Sequence, residues 1–253
     1  MPTTEIGGKT FFKIENINEF PPFFMSILSG ENHWMFIGSN GGLSAGRQNA
    51  QSALFPYYTS DKILESHDVT GSKTIIRVGG DASTNWEPFS SRPFLRHDIT
   101  QNLYKGVYGE SVVFEEVNHD LQLIFRYRWE TSAKYGFVRT STLENLSKKT
   151  QRIEFVDGIQ NILPQGLGSE MQLRYSNLGD AYKWNQLGSP AGLGIYALSA
   201  QIVDRAEPRE SLRANVAWSL GIDDCRYLIS SRQLQAFRKG ISVQGETDEK
   251  AEK

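Results

Sequence analysis

Two adjacent carboxylate pairs, Glu115-Glu116 and Asp223-Asp224, are the first residues whose types could do chemistry. Paired carboxyls cleave glycosides when one gives a proton and the other attacks, or activates water, across the sugar ring. Glu115 and Glu116 sit inside an apolar run, residues 111–117, that reads as a strand. Neighbours on a strand point to opposite faces, so these two carboxyls do not share a site. Asp223-Asp224 falls in a turn. No catalytic residue is therefore named. His33, His67, His97 and His119 lack metal-ligand spacing, and HExxH and CxxC are absent. No metal and no cofactor is expected. GxSxG is absent as well, and nothing singles out one serine as a nucleophile.

Residues 38–47 are rich in glycine but have neither GxGxxG nor GxxxxGK[ST] spacing, and no amphipathic helix follows. A phosphate-cradling loop needs both. The segment reads as a tight connection between strands, or as a polar loop that presents Asn40 and Arg47 to a ligand. Aromatic residues are the more suggestive class. Trp34, Phe36, Phe55, Tyr57, Tyr58, Trp86, Tyr104, Tyr108, Tyr182 and Trp184 fall in or beside expected loops. Sugar rings stack on such side chains while Asn, Asp and Arg bind their hydroxyls. The competing reading is that these rings close the ends of a β-sandwich core. Asn40, Arg47, Trp86 and Trp184 are the candidate substrate-binding residues.

The elements that must position them are mostly strands. From 121 to 130 the residues Leu121, Leu123, Phe125, Tyr127 and Trp129 share one face, against Gln122, Arg126, Arg128 and Glu130. Such alternation marks a strand with one buried and one wetter face. Ala214, Val216, Trp218 and Leu220 repeat the pattern, as do Tyr196, Leu198, Ala200 and Ile202. Further runs are 73–78, 111–117, 138–143 and 152–156. Asn118-His119-Asp120 predicts a hairpin turn, and Asn40-Gly41-Gly42 supplies the positive φ of another. Many short strands between turns predict a sandwich or barrel. Helix is expected at 232–239, capped by Ser230 with Gln233 as its capping-box partner and ended by Gly240. A further helical turn is expected at 61–66. Residues 164–194 read as a long decorated loop.

Of 253 residues, 27 are Lys or Arg and 29 are Asp or Glu, a net charge of -2. That balance excludes nucleic-acid binding by bulk charge and suits a neutral partner. Cys225 is the single cysteine, so no internal disulfide forms. The first nine residues lack the basic segment and apolar run of a secretory signal. No stretch approaches the roughly 20 apolar residues that cross a bilayer. A cytoplasmic protein with no membrane partner is expected.

Ser39-Asn40-Gly41-Gly42 is followed by Leu54-Phe55-Pro56-Tyr57-Tyr58, then by a strand ending at Arg77-Val78. Next come Asp81, Trp86-Glu87-Pro88, and the paired runs 121–129 and 138–147. This order resembles the N-terminal β-domain of the cellobiose phosphorylase-like glycoside phosphorylases, over roughly residues 31–164. The relatives carry a His-Gly pair where this chain has Lys105-Gly106, so any role of that His does not transfer.

The resemblance implies a β-supersandwich of the galactose mutarotase-like fold, beside a helical linker and an (α/α)6 barrel. In the family the barrel holds the general acid, and phosphate attacks the anomeric carbon with inversion. The expected fold is thus an all-β, large antiparallel β-supersandwich with one or two short helices. It forms a single domain, 1–244, with a disordered polar tail, 245–253. With too few residues and helices for the barrel, the chain is expected to be a non-catalytic, carbohydrate-associated domain. Its expected partners are an oligosaccharide, a helical barrel in cis or in trans, and a second copy in a homodimer. A stand-alone carbohydrate-binding module is the first alternative. A small sugar-epimerase-like enzyme is the second, though no acid–base pair for it can be named.

Overall fold

A computed structural model of the chain describes residues 2–79, 84–91, 97–188, 192–203, 206–207 and 209–243. Asp81 and the tail 245–253 lie outside the described residues. The first strands are β1 (Thr3–Ile6), β2 (Lys9–Ile14), β3 (Phe24–Ile27), β4 (His33–Gly38) and β5 (Leu43–Arg47). Helix α1 (Ser60–Glu65) precedes β6 (Gly71–Val78) and β7 (Thr84–Trp86). Then come β8 (Ile99–Gly106), β9 (Ser111–Asn118), β10 (Leu123–Ser132), β11 (Gly136–Asn145) and β12 (Ile153–Gln160). Helices α2 (Ser169–Arg174) and α3 (Ser176–Tyr182) lead to β13 (Lys183–Gly188), β14 (Leu193–Leu198), β15 (Ala214–Trp218) and α4 (Ser231–Arg238). Among the described residues every strand pairing is antiparallel, and the chain is an all-β protein with short helices.

The chain divides into two compact units. One is Met1–Gln48 with Tyr58–Gln160; the other is Asn49–Tyr57 with Asn161–Lys253. The first contains a six-stranded sheet in the order β1-β2-β8-β9-β10-β11 and two three-stranded sheets, β12-β6-β7 and β3-β4-β5. The alternation of β10 works as the sequence predicts. Phe125, Tyr127 and Trp129 are buried, while Arg126, Arg128 and Glu130 on the other face are half-buried. The inner face meets β12-β6-β7. Trp129 Nε1 donates to Ser72 Oγ at 3.0 Å, and Trp86 Nε1 to Glu116 Oε1 at 2.6 Å. Phe114 stacks on Tyr127 with centroids 4.7 Å apart, and Phe89 meets both edge-on. Each such buried ring contributes about 1.5–3 kcal/mol. The opposite face of the large sheet buries Phe11, Tyr104 and Val113, with Ile6 packed against them.

The expected turns are present. Gly41, at φ +90°, lies between β4 and β5, and its N–H donates to the Gly38 carbonyl at 2.9 Å. The β9–β10 connection runs through Asn118-His119-Asp120, where Asn118 Oδ1 accepts from the Leu121 N–H at 2.9 Å.

In the second unit the order is β13-β14-β15. Register sets three cross-strand rows on one face: Trp184, Ala197 and Ala214; Gln186, Ile195 and Val216; Gly188, Leu193 and Trp218. Helix α4 has the predicted capping box. Ser230 Oγ accepts from the Arg232 N–H, and the Gln233 side chain returns to the Ser230 N–H at 3.1 Å.

Two expectations need correction. Residues 164–194 are not a loop, since they hold α2, α3 and β13. Neither helix exceeds two turns, too short to show a 3.6-residue period or to be stable alone. Tertiary contacts build them. Buried Gln172 donates to the Leu167 carbonyl at 2.9 Å and accepts from the Tyr57 N–H at 3.0 Å. Gly179 packs so closely on Leu167 that a Cβ would lie 2.7 Å from it. The described residues therefore hold four α-helices rather than one or two. Second, the strand expected to continue to Ile202 ends at Leu198.

Candidate functional site

The loop after β7, Glu87 to Ser91, is anchored from two sides. Glu116 on β9 is 2% exposed. Its carboxylate accepts from Trp86 Nε1, from the Phe89 N–H at 2.7 Å and from Gln101 Nε2 at 2.7 Å. Burial pushes this carboxyl up, although the three donors oppose the shift. On the other side of the loop, Asp68 accepts from Ser90 Oγ at 2.7 Å and from the Ser91 N–H and hydroxyl. Lys73, at the start of the apolar part of β6, reaches Asp68 at 2.9 Å and Glu87 at 3.0 Å. Burial alone would raise the Asp68 carboxyl. Hydrogen bonds from Ser91, Lys73 and Ser90 and the Lys73 charge outweigh it and hold it well below the usual carboxylate range. Phe89 sits between these anchors at φ +58°, a conformation that costs about 1–3 kcal/mol for a non-glycine residue and needs such support.

A second buried ion cluster lies beside the first. Arg139 on β11 gives two hydrogen bonds to Asp157 on β12, and its guanidinium stands 5.1 Å from the Tyr127 ring centroid. Thr74 and Ser141 hydroxyls also donate to Asp157. Burial raises this carboxyl, and the Arg139 charge and these hydrogen bonds bring it down below its ordinary value. Beside Asp68 and Lys73 lies a cavity of about 10 Å³, lined among others by Asn40, Gly41, Thr74 and Tyr127. That is room for about one water and far too little for a sugar ring.

Glu115 faces the other way, as strand alternation requires. It accepts from Asn102 Nδ2 at 2.9 Å, Tyr104 OH at 2.8 Å and Arg126 Nε, and Arg126 also reaches Glu144 at 2.8 Å. Burial would raise the Glu115 carboxyl, but these three donors and the Arg126 charge hold it down. An acid or base catalyst needs an oxygen that faces its substrate. Asp68, Glu115, Glu116 and Asp157 instead spend their lone pairs on the fold. Asp223 and Asp224 are exposed turn residues. Among the described residues no group of three or more His, Cys, Asp or Glu could hold a metal ion.

The four sequence candidates occupy different settings. Asn40 closes the β4–β5 turn: its Nδ2 donates to the Leu64 carbonyl at 2.9 Å and its Oδ1 accepts from the Gly42 N–H at 3.2 Å. Arg47 is exposed at the end of β5, in register with His33. Trp86 is 2% exposed, with its ring in the sandwich and its N–H on Glu116. Trp184 belongs to the second unit and is 43% exposed. Lys105 donates to the Ser26 and Gly109 carbonyls at 2.8 Å each, and burial lowers its pKa.

Sequence reasoning missed Lys73 and Arg139. The available signal was a cation in a run that otherwise alternates toward a core. It also missed that Trp218 is exposed, at 45%, on the same sheet face as Trp184. The second unit holds a larger cavity of about 580 Å³ near Met171, Leu198, Ile202 and Arg213. No helix among the described residues is long and apolar enough to cross a membrane. Compared with protein-family models and with curated proteins, the chain matches none.

Proposed function

We propose that this chain is a non-catalytic, carbohydrate-associated β-sandwich domain of a glycoside phosphorylase- or hydrolase-type protein. A helical barrel, in cis or in trans, would carry the chemistry. The observation that supports this most is the fate of the buried carboxylates. Asp68, Glu115, Glu116 and Asp157 each accept several hydrogen bonds that pin strands and loops together. They are arranged as scaffold, and the cavity that Asp68 lines is smaller than any sugar. The antiparallel sheets and the near-neutral charge agree with such a domain and with a neutral partner.

The test is turnover. The purified chain is incubated with inorganic phosphate and a panel of α- and β-linked disaccharides, and sugar 1-phosphate and free monosaccharide are measured. No product is expected from the chain alone. Product above a heat-denatured control overturns the reading and favours a complete small enzyme.

A further inference from the structure

We propose that the open edge of β11 is a self-association surface, on which a second copy of this chain lays its own β11 antiparallel about a two-fold axis at Thr140. This pairing stands independently of the carbohydrate reading above.

β11 ends the six-stranded sheet and pairs only with β10. It is ten residues long, and its register with β10 runs unbroken from Gly136 to Asn145. One residue further on, the Leu146 N–H turns inward to the Gln122 carbonyl at 2.9 Å. Backbone N–H and C=O groups alternate sides along an antiparallel strand. Those of Phe137, Arg139, Ser141 and Leu143 therefore point out from the sheet. Among the described residues none of them makes a backbone hydrogen bond on that side. The side chains of Thr140 and of Thr142 to Asn145 are exposed.

A free edge of this length invites another strand, and proteins guard such edges with Lys, Pro, bulges or brevity. β11 has no Lys, Pro or bulge. Its two charges are already taken, Arg139 by Asp157 and Glu144 by Arg126. The opposite edge of the sheet is guarded by brevity, since β1 has four residues.

The sequence of β11 is complementary to itself. Centred on Thr140, antiparallel pairing sets Phe137 against Leu143, Val138 against Thr142, Arg139 against Ser141 and Thr140 against its own copy. Apolar thus meets apolar, β-branched meets β-branched, and hydroxyls meet the guanidinium and each other. Such cross-strand pairs are favourable. Leu143, 36% exposed in the single chain, gains an apolar partner. Phe137 with Leu143 and Arg139 with Ser141 exchange the outward backbone groups, each pair occurring twice. Thr140 falls at a non-hydrogen-bonded position, where opposed side chains stand closest. Neighbouring centres fail. Centred on Arg139, two guanidinium groups oppose each other. Centred on Ser141, Val138 meets Glu144 and Leu143 meets Arg139. Centred on Thr142, Phe137 meets Ser147, beyond the end of the strand. A two-fold pairing consumes the edge of both copies, so assembly stops at the dimer.

Sedimentation velocity of the purified chain over a micromolar concentration series is the test. Wild type should be a dimer. Thr140→Lys and Thr140→Glu each oppose like charges on the axis and should weaken association by about tenfold. An equimolar mixture of the two should restore the dimer, because Lys then meets Glu at this register. Leu143→Pro removes an outward N–H that the single chain does not use and should also weaken the dimer. Far-ultraviolet circular dichroism equal to wild type establishes that a variant is folded. Thr140 is exposed, so its variants decide the outcome even where the proline variant fails to fold. A wild type that stays monomeric throughout the series overturns the pairing. So does a dimer that both Thr140 variants leave unchanged, or a pair of weakened variants that do not recover on mixing. None of these results bears on the turnover assay, which judges the carbohydrate reading separately.

Discussion

Arg139 and Asp157 meet fork to fork, with two hydrogen bonds of 2.9 and 2.8 Å joining β11 of one layer to β12 of the other. The Arg139 side chain is 7% exposed and that of Asp157 19%. Arg139→Lys keeps the charge but cannot reproduce two parallel N–H donors, so it should destabilise the protein by about 1–3 kcal/mol. Arg139→Met leaves a buried carboxylate without its counter-charge and should cost about 3–5 kcal/mol. Urea denaturation checks both. Equal losses for Lys and Met would mean that charge contributes little and packing nearly all.

Lys73 between Asp68 and Glu87 is the stronger test of buried charge. Lys73→Met brings two carboxylates together without a cation and should cost about 3–5 kcal/mol. The pH dependence has a definite sign. The folded Asp68 carboxyl is held below its unfolded value. Its stabilisation is therefore present above the ordinary carboxylate range and lost as pH falls through the folded value. Asp68→Asn should flatten the acid limb of a stability-against-pH curve. An acid limb as steep as wild type would assign that limb to other groups.

Glu116 should behave in the opposite sense. Its folded pKa is raised by burial, so its contribution is full below the ordinary carboxylate range and declines as pH rises through the raised value. Glu116→Gln turns an amide N–H₂ toward a donor and should cost about 1–3 kcal/mol at pH 4. That loss should shrink toward pH 8, because only wild type must then hold a buried charge. A loss that grows with pH would show that the three donors stabilise the anion more than burial opposes it.

Glycines on either side of β4 differ in what they tolerate. A Cβ at Gly42 would collide with the Ile63 carbonyl oxygen, which backbone cannot easily move, and one at Gly41 would stand 2.7 Å from the Tyr127 hydroxyl at φ +90°. Each Ala variant should lose about 1–3 kcal/mol. Gly30 has nothing within 4 Å of its would-be Cβ, so Gly30→Ala should change stability by less than about 0.5 kcal/mol. Thermal unfolding of the three variants provides the comparison.

Much of the strand layout was legible because alternation is a local signal. Residues 121–130 predicted β10, and the Ser230–Gln233 capping box predicted α4. Alternation does not say which face finds a partner. In β15 it marked the apolar residues correctly as one face, yet that face is the open one, because Asn215 on the other face bonds to Leu163, fifty-two residues away in sequence. The burial of Trp86 was equally unreadable, since it depends on Glu116, thirty residues on. Asn40 closes a turn, and a turn asparagine and a binding asparagine have the same local sequence, so sequence alone does not separate the two roles. Helices α2 and α3 left no periodic trace because they owe their existence to contacts such as Gln172 with Tyr57.

Neighbouring acids on the central strand β9, each matched to its own donors on its own face, also constrain how that strand can be threaded during folding. A slip by one residue would carry every side chain of β9 to the wrong face. A slip by two would present Val113 or Val117 to the donors that await Glu115, and Phe114 or Asn118 to those that await Glu116. Either misalignment strands several buried N–H and O–H groups at about 1–3 kcal/mol apiece, more than most single domains can lose. An apolar strand of the same length would slide among near-equivalent alignments. The adjacent glutamates thus act as an alignment code, one that tolerates change at either position only if the donors facing it change as well.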